Sequence, residues 1–190
     1  MSTKRAYLTF DDGPSEHFTE QILSFLNKEE IKATFFVCGK NVKRHPEILK
    51  KIYKEGHSIG NHSYSHSKKL TLRGNISEIA KTSEIIEKTI GILPKLYRAP
   101  YGFFVPWIFP YTKTHGMRWV RWGTKGKDWE VRDPIKIANN VLSKDKKNMI
   151  ILLHDGDGVS DKPDRQATVD SLRLIVDELR ARGYSFYPLT

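Results

Sequence analysis

The sequence holds a single cysteine, Cys38, in 190 residues, which excludes a disulfide scaffold. No segment approaches the roughly 18 uninterrupted apolar residues that would suggest a membrane span. The opening Met1-Ser2-Thr3-Lys4-Arg5 leads straight into an apolar strand pattern, with no hydrophobic leader core and no small-residue cleavage site. The chain as it stands is therefore expected in the cytoplasm; the alternative is a secreted or surface catalytic domain trimmed of its signal. No Gly/Ser linker or composition shift divides the sequence, so a single domain is expected. Long blocks of one charge are missing too. The 32 Lys+Arg against 22 Asp+Glu leave a net charge of +10, which favours anionic partners in general. Clusters such as Lys50-Lys51 are short, and no nucleic-acid module accompanies them, so no nucleic-acid partner is expected.

What the sequence does have is alternation. Ala6 to Phe10 reads as a strand ending in the turn Asp11-Asp12-Gly13-Pro14. Phe18, Ile22, Phe25 and Leu26 share a helical face. Ala33 to Cys38 is a second strand, Pro46 opens a second helix, and His57 to Gly60 is a short third strand. A clear helical stripe runs from Ile76 to Ile90. Leu96-Tyr97-Arg98 and Met117 to Trp122 read as strands, Pro134 starts another helix, and Met149 to Leu153 is apolar throughout, as in a parallel strand covered on both faces. A final helix carries Val169, Leu172, Ile175, Val176 and Leu179, and Tyr184 to Tyr187 closes the chain. Roughly seven β–α alternations predict a parallel sheet with helices outside. An open doubly wound sheet or a small (β/α) barrel of about seven strands satisfies the pattern.

The polar residues favour the barrel. In α/β folds functional groups gather past the carboxyl ends of strands. Here Asp11-Asp12, His62 and His66, Arg98, Asp128-Trp129 and His154-Asp155 follow successive strands. An open sheet would spread them along a line; a barrel brings them together. Adjacent Asp11 and Asp12 repel unless a cation or shared proton relieves them, although an Asp-Gly-Pro turn that caps the next helix is the plainer reading. His62 and His66, four apart, face one way on a helical turn and with a nearby carboxylate could hold Zn²⁺ or a similar ion; two surface histidines are the alternative. His154 ends an apolar strand either as a core-edge histidine or as a general acid/base. Arg98 either makes a surface ion pair or orients a carboxylate.

Thr9-Phe10-Asp11-Asp12-Gly13-Pro14, His62-Ser63-Tyr64-Ser65-His66, Arg98-Ala99-Pro100-Tyr101, Asp128-Trp129 and Leu152-Leu153-His154 resemble, in order, the five motifs of polysaccharide deacetylases, the NodB homology domain of carbohydrate esterase family 4. The resemblance covers essentially the whole chain. It implies a distorted (β/α) barrel and a metal-dependent hydrolase that removes N-acetyl groups from a sugar polymer or oligomer. It implies that Asp12, His62 and His66 bind a divalent metal, zinc before cobalt or nickel. Asp11 is then the base, His154 the acid, Arg98 the partner of Asp11 and Asp128 the partner of His154. The Tyr101 N–H serves the oxyanion, and Trp129, Leu152 and Pro100 wall the substrate site. The chain departs from the pattern at Lys125, where many members carry a further Asp, and this puts the adjoining groove wall and the substrate class in doubt. Two other readings stay open: hydrolysis of a different amide, such as a formamide or ureide, on the same metal site, or a catalytically silent glycan-binding barrel using Trp107 and Trp129.

Overall fold

Alternating side chains divide each central strand between two faces. In the computed structural model, which describes residues 4–160 and 162–190, Ala6, Leu8 and Phe10 of β1 (Lys4–Asp11) enter the main core. Tyr7, Thr9 and Asp11 take the other face. In β7 (Asn148–His154), Met149, Ile151 and Leu153 likewise join the main core, which leaves Ile150, Leu152 and His154 on the second face. The main core is completed by the inner stripes of α1 (Phe18–Lys28), α3 (Pro46–Lys54), α7 (Pro134–Leu142) and α8 (Gln166–Ala181). Phe36, Leu96, Val120 and Leu189 form a smaller cluster with Tyr7 and Ile150. Both faces of the sheet are thus covered, which is why the β7 run is apolar throughout.

The strand path is β5-β4-β3-β2-β1-β7-β6, all parallel, with β8 (Tyr184–Phe186) added beside the start of β1. It uses β2 (Thr34–Val37), β3 (Ser58–Asn61), β4 (Leu96–Tyr97), β5 (Arg118–Trp119) and β6 (Thr124–Lys125). Neighbouring strands lie about 4.8 Å apart, so β1 and β4 would stand roughly 14 Å apart in a flat sheet. Arg98, just past β4, nevertheless bonds to Thr9 and Asp11 of β1. The sheet is therefore curled, as the barrel expectation requires.

The run Met117 to Trp122, expected as one strand, behaves differently. Its first half pairs with β4, where Val120 N–H donates to Tyr97. After Trp122 the ladder changes sides, and Gly123 N–H donates to Ile150 of β7. Successive parts of one extended stretch thus bridge the two ends of the strand path, and Asp128-Trp129 follow the second part, β6. Three short helices lack enough turns to show periodicity in sequence: α2 (Gly39–Arg44), α4 (Lys68–Leu72) and α6 (Phe109–Thr114). The long stripe from Ile76 forms α5 (Ile76–Ile90), capped by Asn75 and ended by left-handed Gly91. No helix among the described residues is long and apolar enough to cross a membrane. Met1, Ser2 and Thr3, on which the reading of the N-terminus partly rests, lie outside the described residues.

Candidate active site

The turn after β1 is held from behind. Asp155 is fully buried; its Oδ1 accepts from Gly13 N–H at 3.1 Å and its Oδ2 from Thr19 Oγ1 at 2.6 Å. Its own N–H donates to the Asp11 carbonyl at 3.2 Å. Burial pushes the Asp155 carboxyl up to about 7, against the pull of the Thr19 hydrogen bond. A Cβ on Gly13 would lie 2.1 Å from Asp155 Oδ2, so only glycine admits this contact. Asp12 itself is left-handed, with φ 77°, and Asn41 Nδ2 donates to its carbonyl at 2.6 Å.

The histidine pair comes from a loop, not the helical turn its spacing suggested. Ser63 and His66 have φ of 64° and 55°, which breaks any helix between them. Asn61 fixes the loop by accepting from Ser63 N–H at 2.9 Å. His62 Nδ1 donates to the Arg98 carbonyl at 2.8 Å; with that nitrogen protonated, Nε2 presents its lone pair. Asp12 Oδ1 lies 3.3 Å from His62 Nε2 and 3.2 Å from His66 Nε2, yet it is buried and meets hydrogen-bond geometry with neither. One ligand atom from each of Asp12, His62 and His66 falls within 4.8 Å of the others, and all three residues are buried. Lone pairs brought together this closely in a dry site are relieved by positive charge, whether a proton on His62 or a metal ion. Two imidazoles and a carboxylate form a suitable set for a divalent ion with open positions.

Burial alone would raise the Asp12 carboxyl, but His62, His66 and His154 hold it below the usual carboxylate range. Burial drives the His66 imidazole down to about 4, against the pull of Asp12, and so keeps it neutral. His62 is raised: burial opposes its charge, but Asp11 and Asp12 overcome that penalty.

Arg98 is 1% exposed. Its Nη1 donates to Asp11 Oδ1 at 2.7 Å and to Thr9 Oγ1 at 2.8 Å, and its guanidinium lies 4.0 Å from the Phe36 ring centroid. The alternative of a surface ion pair is thereby overturned. Asp128 is fully enclosed, and it takes hydrogen bonds from His154 and from Thr168 Oγ1, the latter at 2.9 Å. Burial opposes charge on His154, and Asp128 outweighs it, raising the imidazole to about 9.

A cavity of ≈ 370 Å³ opens over these groups. Asp11, Asp12, His62, His66 and His154 form its floor, and Tyr101, Trp122, Lys125, Trp129 and Leu152 belong to its walls. Arg98 and Asp128 sit behind the lining. Pro100, expected in the substrate wall, is buried in the turn before Tyr101 and does not reach the cavity. Trp107 likewise lies off it and donates its indole N–H to the Arg73 carbonyl. Tyr101 packs its ring on His66, with centroids 4.5 Å apart, and its own backbone is left-handed at φ 59°. Asp12, Ser63, His66 and Tyr101 are four of the six non-glycine residues with positive φ among those described. Strain of this kind persists where surroundings over-determine it, and it concentrates here at one site. In the sequence Asp155 stands out only by its strand-end place beside His154, and no motif points to Thr168 or Trp122.

A family whose description reads polysaccharide deacetylase matches residues 1–142. A peptidoglycan-N-acetylglucosamine deacetylase of Bacillus cereus is 37% identical over 184 residues, covering 96% of this chain and 66% of that protein. A chitooligosaccharide deacetylase of a Bradyrhizobium species is 31% identical, covering 98% of this chain and 90% of the relative. Among solved structures, a peptidoglycan N-acetylglucosamine deacetylase superimposes with a TM-score of 0.88 at 35% identity, covering 97% of this chain and 86% of the other.

Proposed function

The chain belongs to the polysaccharide deacetylase family, and from that premise we propose that it hydrolyses the N-acetyl amide of sugar units in an acetylated glycan, releasing acetate. One observation carries the reading. The buried cluster of Asp12, His62 and His66 lies beside Asp11, held by Arg98, and His154, held by Asp128.

Asp12, His62 and His66 would hold the divalent ion, and zinc suits this ligand set, with cobalt or nickel tolerated. Such an ion supplies Lewis-acid polarisation of the acetyl carbonyl and lowers the pKa of water. Asp11 takes the proton from the attacking water, kept in position by Arg98. As the carbonyl carbon becomes tetrahedral, the Tyr101 N–H donates to the oxygen that gains charge, an interaction worth roughly 3–4 kcal/mol. His154, cationic at neutral pH, gives its proton to the departing nitrogen as the C–N bond breaks. Acetate and a free amino sugar result. Leu152 and Trp129 shelter the acetyl methyl group from solvent.

Acetate release from a panel of acetylated glycans tests the proposal, run with chelator and with metal added back. Release that stops with chelator and returns with zinc supports it; carbohydrate binding with no acetate under any metal overturns it.

A further inference from the structure

A second concavity, ≈ 320 Å³, lies against the wall of the catalytic cavity and shares Trp122 and Lys125 with it. Its lining adds Lys127, Asn140, Ser143 and Lys144 and includes no acidic residue. Some basic side chains find carboxylates, as Lys4 does with Asp145 and Arg173 with Glu29. None of Lys125, Lys127 and Lys144 has an ion-pair partner among the described residues. Like charges gathered in one concavity raise the local positive potential and draw anions. Lys144, just past α7, is accounted for by the negative end of the helix dipole. That account does not extend to Lys125 in β6 or to Lys127 in the loop after it. Lys127 holds a left-handed backbone, φ 59°, fixed because its carbonyl accepts from Glu130 and Val131 N–H, each at 3.0 Å. Lys125 Nζ stands 5.5 Å from the Trp129 ring centroid, at the junction of the two spaces.

We propose that this lysine groove binds a carboxylate carried on the sugar unit next to the one whose acetamide occupies the catalytic cavity, so that the preferred substrate is an anionic acetylated glycan. The proposal rests on the deacetylase reading of the adjoining cavity. Trp122 and Lys125, common to both spaces, place the two binding steps on one continuous wall. The contribution is electrostatic and exposed, so it acts on KM and weakens with salt.

Two oligomers of equal length separate the possibilities: a neutral tetramer of β-1,4-linked N-acetylglucosamine, and a peptidoglycan-derived tetrasaccharide whose alternate sugars bear a lactyl carboxylate. Acetate release and direct binding are measured on both, in low and high salt. The expected result is a higher kcat/KM for the carboxylated oligomer, with the preference shrinking as salt rises. The double variant Lys127→Glu/Lys144→Glu should lower kcat/KM on the carboxylated oligomer roughly tenfold through KM, on the scale of two exposed ion pairs, and leave the neutral tetramer unchanged. Equal kcat/KM on the two oligomers, or a double variant that treats the carboxylated one as wild type does, overturns the groove. Absence of acetate from both overturns the deacetylase reading instead; the groove is then decided by whether the carboxylated oligomer binds more tightly than the neutral one and loses that advantage in the variant.

Discussion

Asp128 grips His154 with both carboxylate oxygens: Oδ1 accepts from the ring Nδ1 at 2.9 Å, and Oδ2 accepts from the backbone N–H at 2.8 Å. The double contact fixes the ring orientation and stabilises the imidazolium. Because the pKa is raised to about 9, the acid form is present through neutral pH and is lost as pH rises through that value. The alkaline limb of kcat/KM should therefore fall near pH 9. Asp128→Asn removes the charge that outweighs burial, so the limb should move down by more than one pH unit. A limb that stays in place in the variant would remove Asp128 from this role.

Metal binding and proton transfer should separate by mutation. His62→Ala and Asp12→Ala should both lose the ion on dialysis, as read by elemental analysis, and turnover with it. Asp11→Asn should keep the ion and lose roughly 10²–10⁴-fold in kcat, the usual contribution of a positioned base. Loss of metal from Asp11→Asn would mean that Asp11 is a ligand.

Arg98 bears on stability as well as catalysis. Removing one partner of a buried ion pair strands the other charge and typically costs about 3–5 kcal/mol. Arg98→Met should show a loss of that order in urea denaturation. The double variant Arg98→Met/Asp11→Asn should recover part of it, because the stranded charge is gone. Additive losses would show that the pair is not coupled.

Asp155 reaches the cluster only through the turn after β1. Asp155→Ala removes the acceptor for Gly13 N–H and should weaken metal affinity by roughly 10–100-fold, as loss of a supporting contact does, with far-UV circular dichroism unchanged. Asp155→Asn keeps an acceptor oxygen and should restore most of the affinity. Wild-type metal binding in the alanine variant would contradict the clamp.

The ordered motifs made much of this site legible, because strand ends deliver Asp11, Arg98, Asp128 and His154 to one face and period-2 alternation sets which side chains point inward. The curl was legible only through those polar residues, not through the strand that carries it. It alone brings Arg98 to Asp11, and it depends on a stretch that changes partner at Trp122-Gly123, where neither half is long enough to show a pattern. The spacing of His62 and His66 was readable but their conformation was not, since left-handed Ser63 and His66 are imposed by tertiary contacts that override helical preference. Asp155 went unassigned because its partners, Gly13 and Thr19, lie on the far side of the sequence.

Asp11 and His154 are register partners on adjacent parallel strands, whereas Tyr101, Trp129 and Lys127 stand on connecting segments. Backbone pairing therefore sets the span between the proposed proton acceptor and proton donor, and the surrounding segments can be exchanged without resetting it. Grafting those segments between such barrels should transfer glycan preference while the hydrolytic chemistry carries over intact.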